Sequence, residues 1–503
     1  MQVLKKMAGK MKSATAFRQL SVMMIITTIT QFISIYKSAI IAANFGACVE
    51  LDAYNFANNL STFFLTFVSS GITTVVIPAY VKKLDRKAID TFLTVVFSIT
   101  AVLLLGTFLL RSQLVDLLTS REPEFRTYVS SIMLLTMWIQ TLPAVLGVTA
   151  AYYQCIGKFN QPKIILLLSN IGSTVVLIAL KNFDLYQYLY ILLGGAIFQF
   201  VVDIICAVYL GFKFKLAFDV NNPVYKTLMN IFFPTLFSTG IYKVNTMIDS
   251  LLSSNIGTGQ LTILSYANTI VGLVNTLIIG NLITYVYPKI VESITQTKIE
   301  SQKTLWRYAV TFHIAVCLIV VGFVCVGREF IGLLYEHGEF TASAATAVYL
   351  CMSIYMFAQQ NNIVRDLVYR CFFANGDTKI TVKNGIITST VNIIMSIILV
   401  RFLGVYGIIF GTLIAGSVSL FCIVLKFKKT YGFAISMRPI VMEFIKTEIA
   451  VLASITIVIS VKNIMPKLGY LPSFIIYGCF SVAVYTILLL ALYRRKILML
   501  INK

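Results

Sequence analysis

Two lysines define the chemistry this sequence can offer. Lys37 and Lys243 lie inside apolar runs long enough to cross a bilayer. A cation there costs about 2.5–3.5 kcal/mol on insertion scales, so it faces a cavity or a partner. An ammonium without a carboxylate partner binds anions. Gln31, Asn245 and Asn268 supply amides in the same kind of run, and Asp52 sits at the mouth of the apolar run that follows that of Lys37. These six residues read as the lining of a cationic cavity for an anionic substrate. Asp249, Arg365 and Asp366 fit either ion coupling or structural pairing between helices. Asp249 follows Lys243 by six residues, which sets the two on different sides of one helix. Asp203 reads as a packed, partner-bonded group.

Catalysis finds no support in the motifs. The chain has no GxxxxGK[ST] phosphate loop and only two histidines, His313 and His337, with no Ser/His/Asp grouping. Its nine cysteines lack CxxC spacing and fall mostly within or beside apolar runs. They read as small apolar residues, so neither a disulfide nor a metal site is expected. No catalytic residue and no bound cofactor are expected, and the short external loops disfavour a membrane polymerase or ligase.

The elements that must position the lysines follow from composition. Of 503 residues, 58% are hydrophobic and 12% charged, against about 25% charged in a soluble domain. That much apolar surface needs lipid as its solvent. At ~20 residues per span, the apolar runs predict an all-α polytopic protein of about fourteen transmembrane helices. Lys5, Lys6, Lys10, Lys12 and Arg18 resemble the basic start of a signal peptide, but the many later spans make the first run a retained helix. The net charge of +21 does not indicate nucleic acid, because its basic residues recur between alternate spans. Lys82, Lys83, Arg86 and Lys87 begin that series, and Arg494, Arg495, Lys496 and Lys503 close it. The positive-inside rule then places both termini in the cytoplasm.

The chain also repeats itself. Phe56-Ala57-Asn58 precedes Pro78 by the same interval as Tyr266-Ala267-Asn268 precedes Pro288, and Asn44-Phe45-Gly46 echoes Asn255-Ile256-Gly257. This predicts two pseudo-symmetric six-helix lobes, an N-lobe over 20–211 and a C-lobe over 227–425. Two extra helices over 445–493 follow, with cytoplasmic segments at 1–19 and 494–503.

Phe45-Gly46-Ala47 with Asp52-Ala53-Tyr54 resembles the MurJ (MviN) family of lipid II flippases, within the superfamily of Wzx-type polysaccharide flippases and MATE exporters. Val244–Asp249, Tyr266-Ala267-Asn268, Leu334–Thr341 and Tyr369–Lys379 extend the resemblance over nearly the whole chain. The resemblance implies translocation of an undecaprenyl-diphosphate-linked cell-wall precursor across the bacterial cytoplasmic membrane by alternating access. It also implies a lipid-tail groove at the last two helices. Lys37 and Lys243 would contact the diphosphate, and Na+, H+ or the membrane potential would drive the cycle. Membrane lipids are the other expected partner, with no nucleic acid, and the chain is expected to be a monomer. The family's cavity arginines correspond here to Gln31, Lys37, Leu65, Thr66 and Thr269, of which only Lys37 keeps the charge. A flippase for a capsule or O-antigen lipid-linked polysaccharide is the alternative, followed by a MATE-type drug/cation antiporter.

Overall fold

A computed structural model describes the backbone of residues 2–82, 84–466 and 468–501. Side chains are described over the same residues except 2–20, 66–71, 73–74, 81, 237–239 and 494–501. The basic residues of both termini, Lys83 and Thr66 therefore lie outside the described side chains.

Among the described residues every regular element is helical. In lipid each backbone N–H and C=O must be satisfied within its own segment, and the helix does this. We number the long helices α1 (Gln2–Phe45), α2 (Val49–Val81), α3 (Arg86–Leu109) and α4 (Pro123–Cys155), the last interrupted at Leu146. Next come α5 (Gln161–Leu180), α6 (Leu185–Tyr209), α7 (Pro223–Ser254) and α8 (Gln260–Ile294). The remainder are α9 (Lys298–Tyr335), α10 (Ala342–Ala374), α11 (Thr378–Leu403), α12 (Val405–Tyr431), α13 (Arg438–Ile464) and α14 (Tyr470–Ile501). Twelve of these are long and apolar enough, among the described residues, to cross a membrane. The other two, α2 and α7, have 33 and 32 residues. At 1.5 Å per residue each exceeds a hydrocarbon core of about 30 Å.

Polar side chains close the helix starts. Asp184 and Gln187 form a reciprocal capping box at α6, and Asn222, Thr297 and Thr341 accept from backbone N–H groups at α7, α9 and α10. Each cap satisfies a donor that the helix itself leaves open.

The chain divides into two compact units, residues 1–44 with 48–255, and residues 45–47 with 256–503. In the first, α2 packs against α3, α4 and α7. Ile72, Val76, Phe92, Leu93, Tyr153 and Phe232 belong to a buried apolar cluster there. The sequence repeat groups α7 with the second half, whereas packing against α2 groups it with the first.

In the second unit α9 packs against α10, α13 and α14, with Cys317, Val321, Cys325, Val458, Tyr477 and Tyr485 between them. Helices α11 and α12 form a close hairpin. Gly411 makes this possible, since a Cβ there would stand 2.6 Å from Ser396 Oγ and 2.9 Å from Ser396 N. Together with Gly407 it is a GxxxG pair, the small-residue device that lets membrane helices approach.

Gly46 explains why the α1–α2 turn reads Phe-Gly-Ala. Its φ is +64°, and a Cβ would lie 2.4 Å from the Glu339 carbonyl oxygen. Gly46→Ala combines left-handed strain with a clash against backbone, which cannot step aside as a side chain would. We expect the variant to lose at least about 2 kcal/mol of stability, measured as a lower melting temperature in detergent. An unchanged melting temperature would show that the turn relaxes freely.

Candidate functional site

Helix α1 carries Thr30, Ser34 and Lys37 at 3.6-residue spacing along one face. Lys37 Nζ donates to Asn170 Oδ1 at 2.9 Å and to Ser173 Oγ at 3.4 Å, both on α5. Asn170 is held for this task, because its Nδ2 donates to the Leu166 carbonyl at 3.1 Å and turns Oδ1 toward the lysine. Both acceptors are neutral. Among the described residues no carboxylate lies within ion-pairing distance of Lys37. Its positive charge is thus anchored but not neutralised, the electrostatic condition for receiving an anion. Gln31 is half-buried on the same helix, about 120° away around the axis.

Lys243, on α7, is also half-buried and likewise has no carboxylate within ion-pairing distance among the described residues. Two residues onward, Asn245 Nδ2 donates to Asp249 Oδ2 at 3.4 Å. Asn245 Oδ1 is buried with no hydrogen-bond partner among the described residues. A buried amide oxygen in that state costs free energy, as at a site awaiting a donor. The same part of the unit holds a polar seam. Asn59 Nδ2 on α2 donates to Ser250 Oγ on α7 at 2.8 Å, Gln140 Nε2 on α4 donates to Asn58 Oδ1 at 2.5 Å, and Ser61 meets Thr136 at 3.3 Å.

Asp52 is placed differently from a cavity ligand. It is fully buried, and Arg121 Nη1 donates to its Oδ2 at 2.9 Å. Arg121 also lies over the Phe125 ring at 4.5 Å. Asp203 is buried and accepts from the Thr149 hydroxyl, while its backbone carbonyl accepts from Tyr153 Oη, a packed and bonded group.

In the second unit Asn268 is exposed on α8. Arg365 Nε and Nη2 both donate to Asp366 Oδ1, at 3.0 and 2.8 Å, so these α10 neighbours neutralise each other. Of the nine candidates, the first unit contains Gln31, Lys37, Asp52, Lys243, Asn245 and Asp249 and the second contains Asn268, Arg365 and Asp366. The partners Asn170, Ser173, Asn59 and Gln140 went unread in the sequence, and Asn58 was read only as part of the repeat. Asn170 and Ser173 had a signal: with Ser169 and Thr174 they form a polar group in a mostly apolar span.

The chain matches, over residues 41–480, the family described as Lipid II flippase MurJ. Probable lipid II flippase MurJ of Rickettsia prowazekii (strain Madrid E) is 24% identical over 415 residues, which cover 80% of this chain and 82% of the relative. The protein of that name from Synechocystis sp. (strain ATCC 27184 / PCC 6803 / Kazusa) is 24% identical, covering 77% of each chain. A solved lipid II flippase MurJ in an inward closed conformation superposes with a TM-score of 0.79 at 20% identity, covering 94% of this chain and 99% of the other. An inward-facing MATE family transporter of the MOP superfamily superposes at 0.62 with 13% identity, covering 80% and 94%. These structural likenesses show a shared fold.

Proposed function

The chain belongs to the lipid II flippase MurJ family, and from that premise we propose how it carries its cargo. It is a multi-pass protein of the bacterial cytoplasmic membrane, and it translocates a lipid-linked peptidoglycan precursor across it. The observation that carries this reading is the family match across residues 41–480, reinforced by Lys37. An ammonium held by two neutral acceptors keeps its charge available for a diphosphate. Lysine presents a mobile point charge rather than the bidentate fork of arginine, so binding depends more on charge than on fixed geometry.

In our reading Lys37 and Lys243 each attract the diphosphate head group, with Gln31 and Asn245 as polar neighbours. Asn245 Oδ1 then accepts from a sugar hydroxyl. Asp249, bonded to Asn245, is the carboxylate best placed for ion coupling to Na+ or H+. Asp52, Arg365 and Asp366 act as structural pairs. Translocation proceeds by alternating access, without covalent catalysis, in a monomer that binds membrane lipids but no nucleic acid.

A strain depleted of its lipid II flippase tests the cargo. Expression of this chain is expected to restore growth and rod or coccal shape. No rescue by protein that reaches the membrane at normal abundance would exclude lipid II. Loss of a surface polysaccharide on deletion would then assign a capsule-type lipid-linked oligosaccharide instead.

A further inference from the structure

We propose that His313, Cys317 and Glu448 form a binding site for a divalent transition cation of the zinc class, one that clasps α13 to α9. The three ligand atoms lie within 4.8 Å of one another. His313 Nε2 is 3.0 Å from Glu448 Oε1, and Cys317 Sγ is 4.0 Å from the same oxygen. Tetrahedral zinc with bonds of about 2.0–2.3 Å spaces its ligands about 3.3–3.6 Å apart. These two distances bracket that range, so small side-chain rotations bring the oxygen to ligating geometry with the nitrogen and the sulfur.

His313 and Cys317 are one helical turn apart on α9, so they share a face. Both are buried, at 5% and 0% exposure. Although Glu448 Oε1 is close, His313 Nε2 makes no aligned hydrogen bond. A ligand nitrogen behaves this way when its lone pair addresses an ion rather than the neighbouring oxygen.

The surroundings match an outer shell. His313 Nδ1 faces the Gln360 carbonyl at 3.4 Å, and Gln360 Nε2 donates to Cys317 Sγ at 3.3 Å. A backbone carbonyl on the distal ring nitrogen fixes the tautomer that leaves Nε2 free to ligate. Charge gives a further reason. Among the described residues no lysine or arginine lies within ion-pairing distance of Glu448, which sits ten residues into α13. On binding, the cation displaces the thiol proton to water and a metal–sulfur bond forms. Thiolate and carboxylate then balance the two positive charges at membrane depth, with imidazole neutral. The mixed N/S/O set favours zinc-like ions over magnesium or calcium.

The test uses the full chain in detergent, stripped with chelator and titrated with Co2+. One Co2+ per chain with a sulfur-to-cobalt charge-transfer absorption is the expected result. Cys317→Ser should abolish that absorption, whereas Cys479→Ser, at an exposed cysteine, should retain it. His313→Gln and Glu448→Gln should each weaken binding at least about tenfold. Gln360→Leu, with all three ligands intact, should weaken it about 10–100-fold. Wild-type protein that takes up no stoichiometric metal overturns the proposal and leaves a histidine–glutamate pair only. So does absorption that survives Cys317→Ser or vanishes in Cys479→Ser. The wild-type measurement decides even if a ligand variant fails to fold.

Discussion

Lys37→Ala is expected to abolish rescue of a flippase-depleted strain while its membrane abundance stays at the wild-type level. The ammonium is the half-buried cation whose partners are a neutral amide and a neutral hydroxyl. Removing it leaves Asn170 Nδ2 and Ser173 Oγ bonded to the Leu166 and Asn170 carbonyls, and it relieves the cost of holding a charge at membrane depth. Purified Lys37→Ala should therefore melt at the wild-type temperature or above. A purely structural lysine would give the reverse result, with lower stability and activity falling in proportion. Lys37→Arg keeps the charge and should retain part of the activity. Full activity in Lys37→Ala would remove this residue from the cargo site.

Arg121→Ala should be the most destabilising single change considered. Its partner Asp52 is 0% exposed and Arg121 is 8% exposed. Truncating one member of such a pair leaves a buried carboxylate without its cation, at a cost of about 3–5 kcal/mol. The Phe125 contact is lost as well. We expect strongly reduced abundance and a lower melting temperature in detergent. The double variant Asp52→Ala/Arg121→Ala should recover part of that loss, because no charge is then stranded. If the double variant is no better than Arg121→Ala, the ring contact rather than the ion pair carries the effect.

The fold was readable because lipid simplifies the code. Run length and apolar composition report on spans independently of partners. Candidate site residues stood out in the sequence only where a residue is unusual on its own. Lys37 announces itself inside an apolar run, and Asp203 was correctly read as bonded. Asp52 looked like a cavity residue because its partner stands 69 positions away. The adjacency of Arg365 and Asp366 allowed a pair, but only the fold sets two guanidinium nitrogens on one carboxylate oxygen. The His313–Cys317–Glu448 group was invisible for the same reason, with its sulfur and its carboxylate 131 positions apart.

One consequence concerns the duplication and the turn at Asn275–Ile279 in α8, which is wound as a π-helix. Phe56 to Pro78 and Tyr266 to Pro288 contain equal numbers of residues, yet α2 is wound as α-helix throughout that interval. A π-turn absorbs one extra residue without advancing the helix. The two copies therefore agree in count and disagree in phase. Beyond the turn, each α8 side chain faces about 100° away from the direction its α2 counterpart takes relative to the shared motif. Positions downstream thus match in number from the shared motif and differ in the direction they face. A single-residue deletion within 275–279 would bring the two helices back into step.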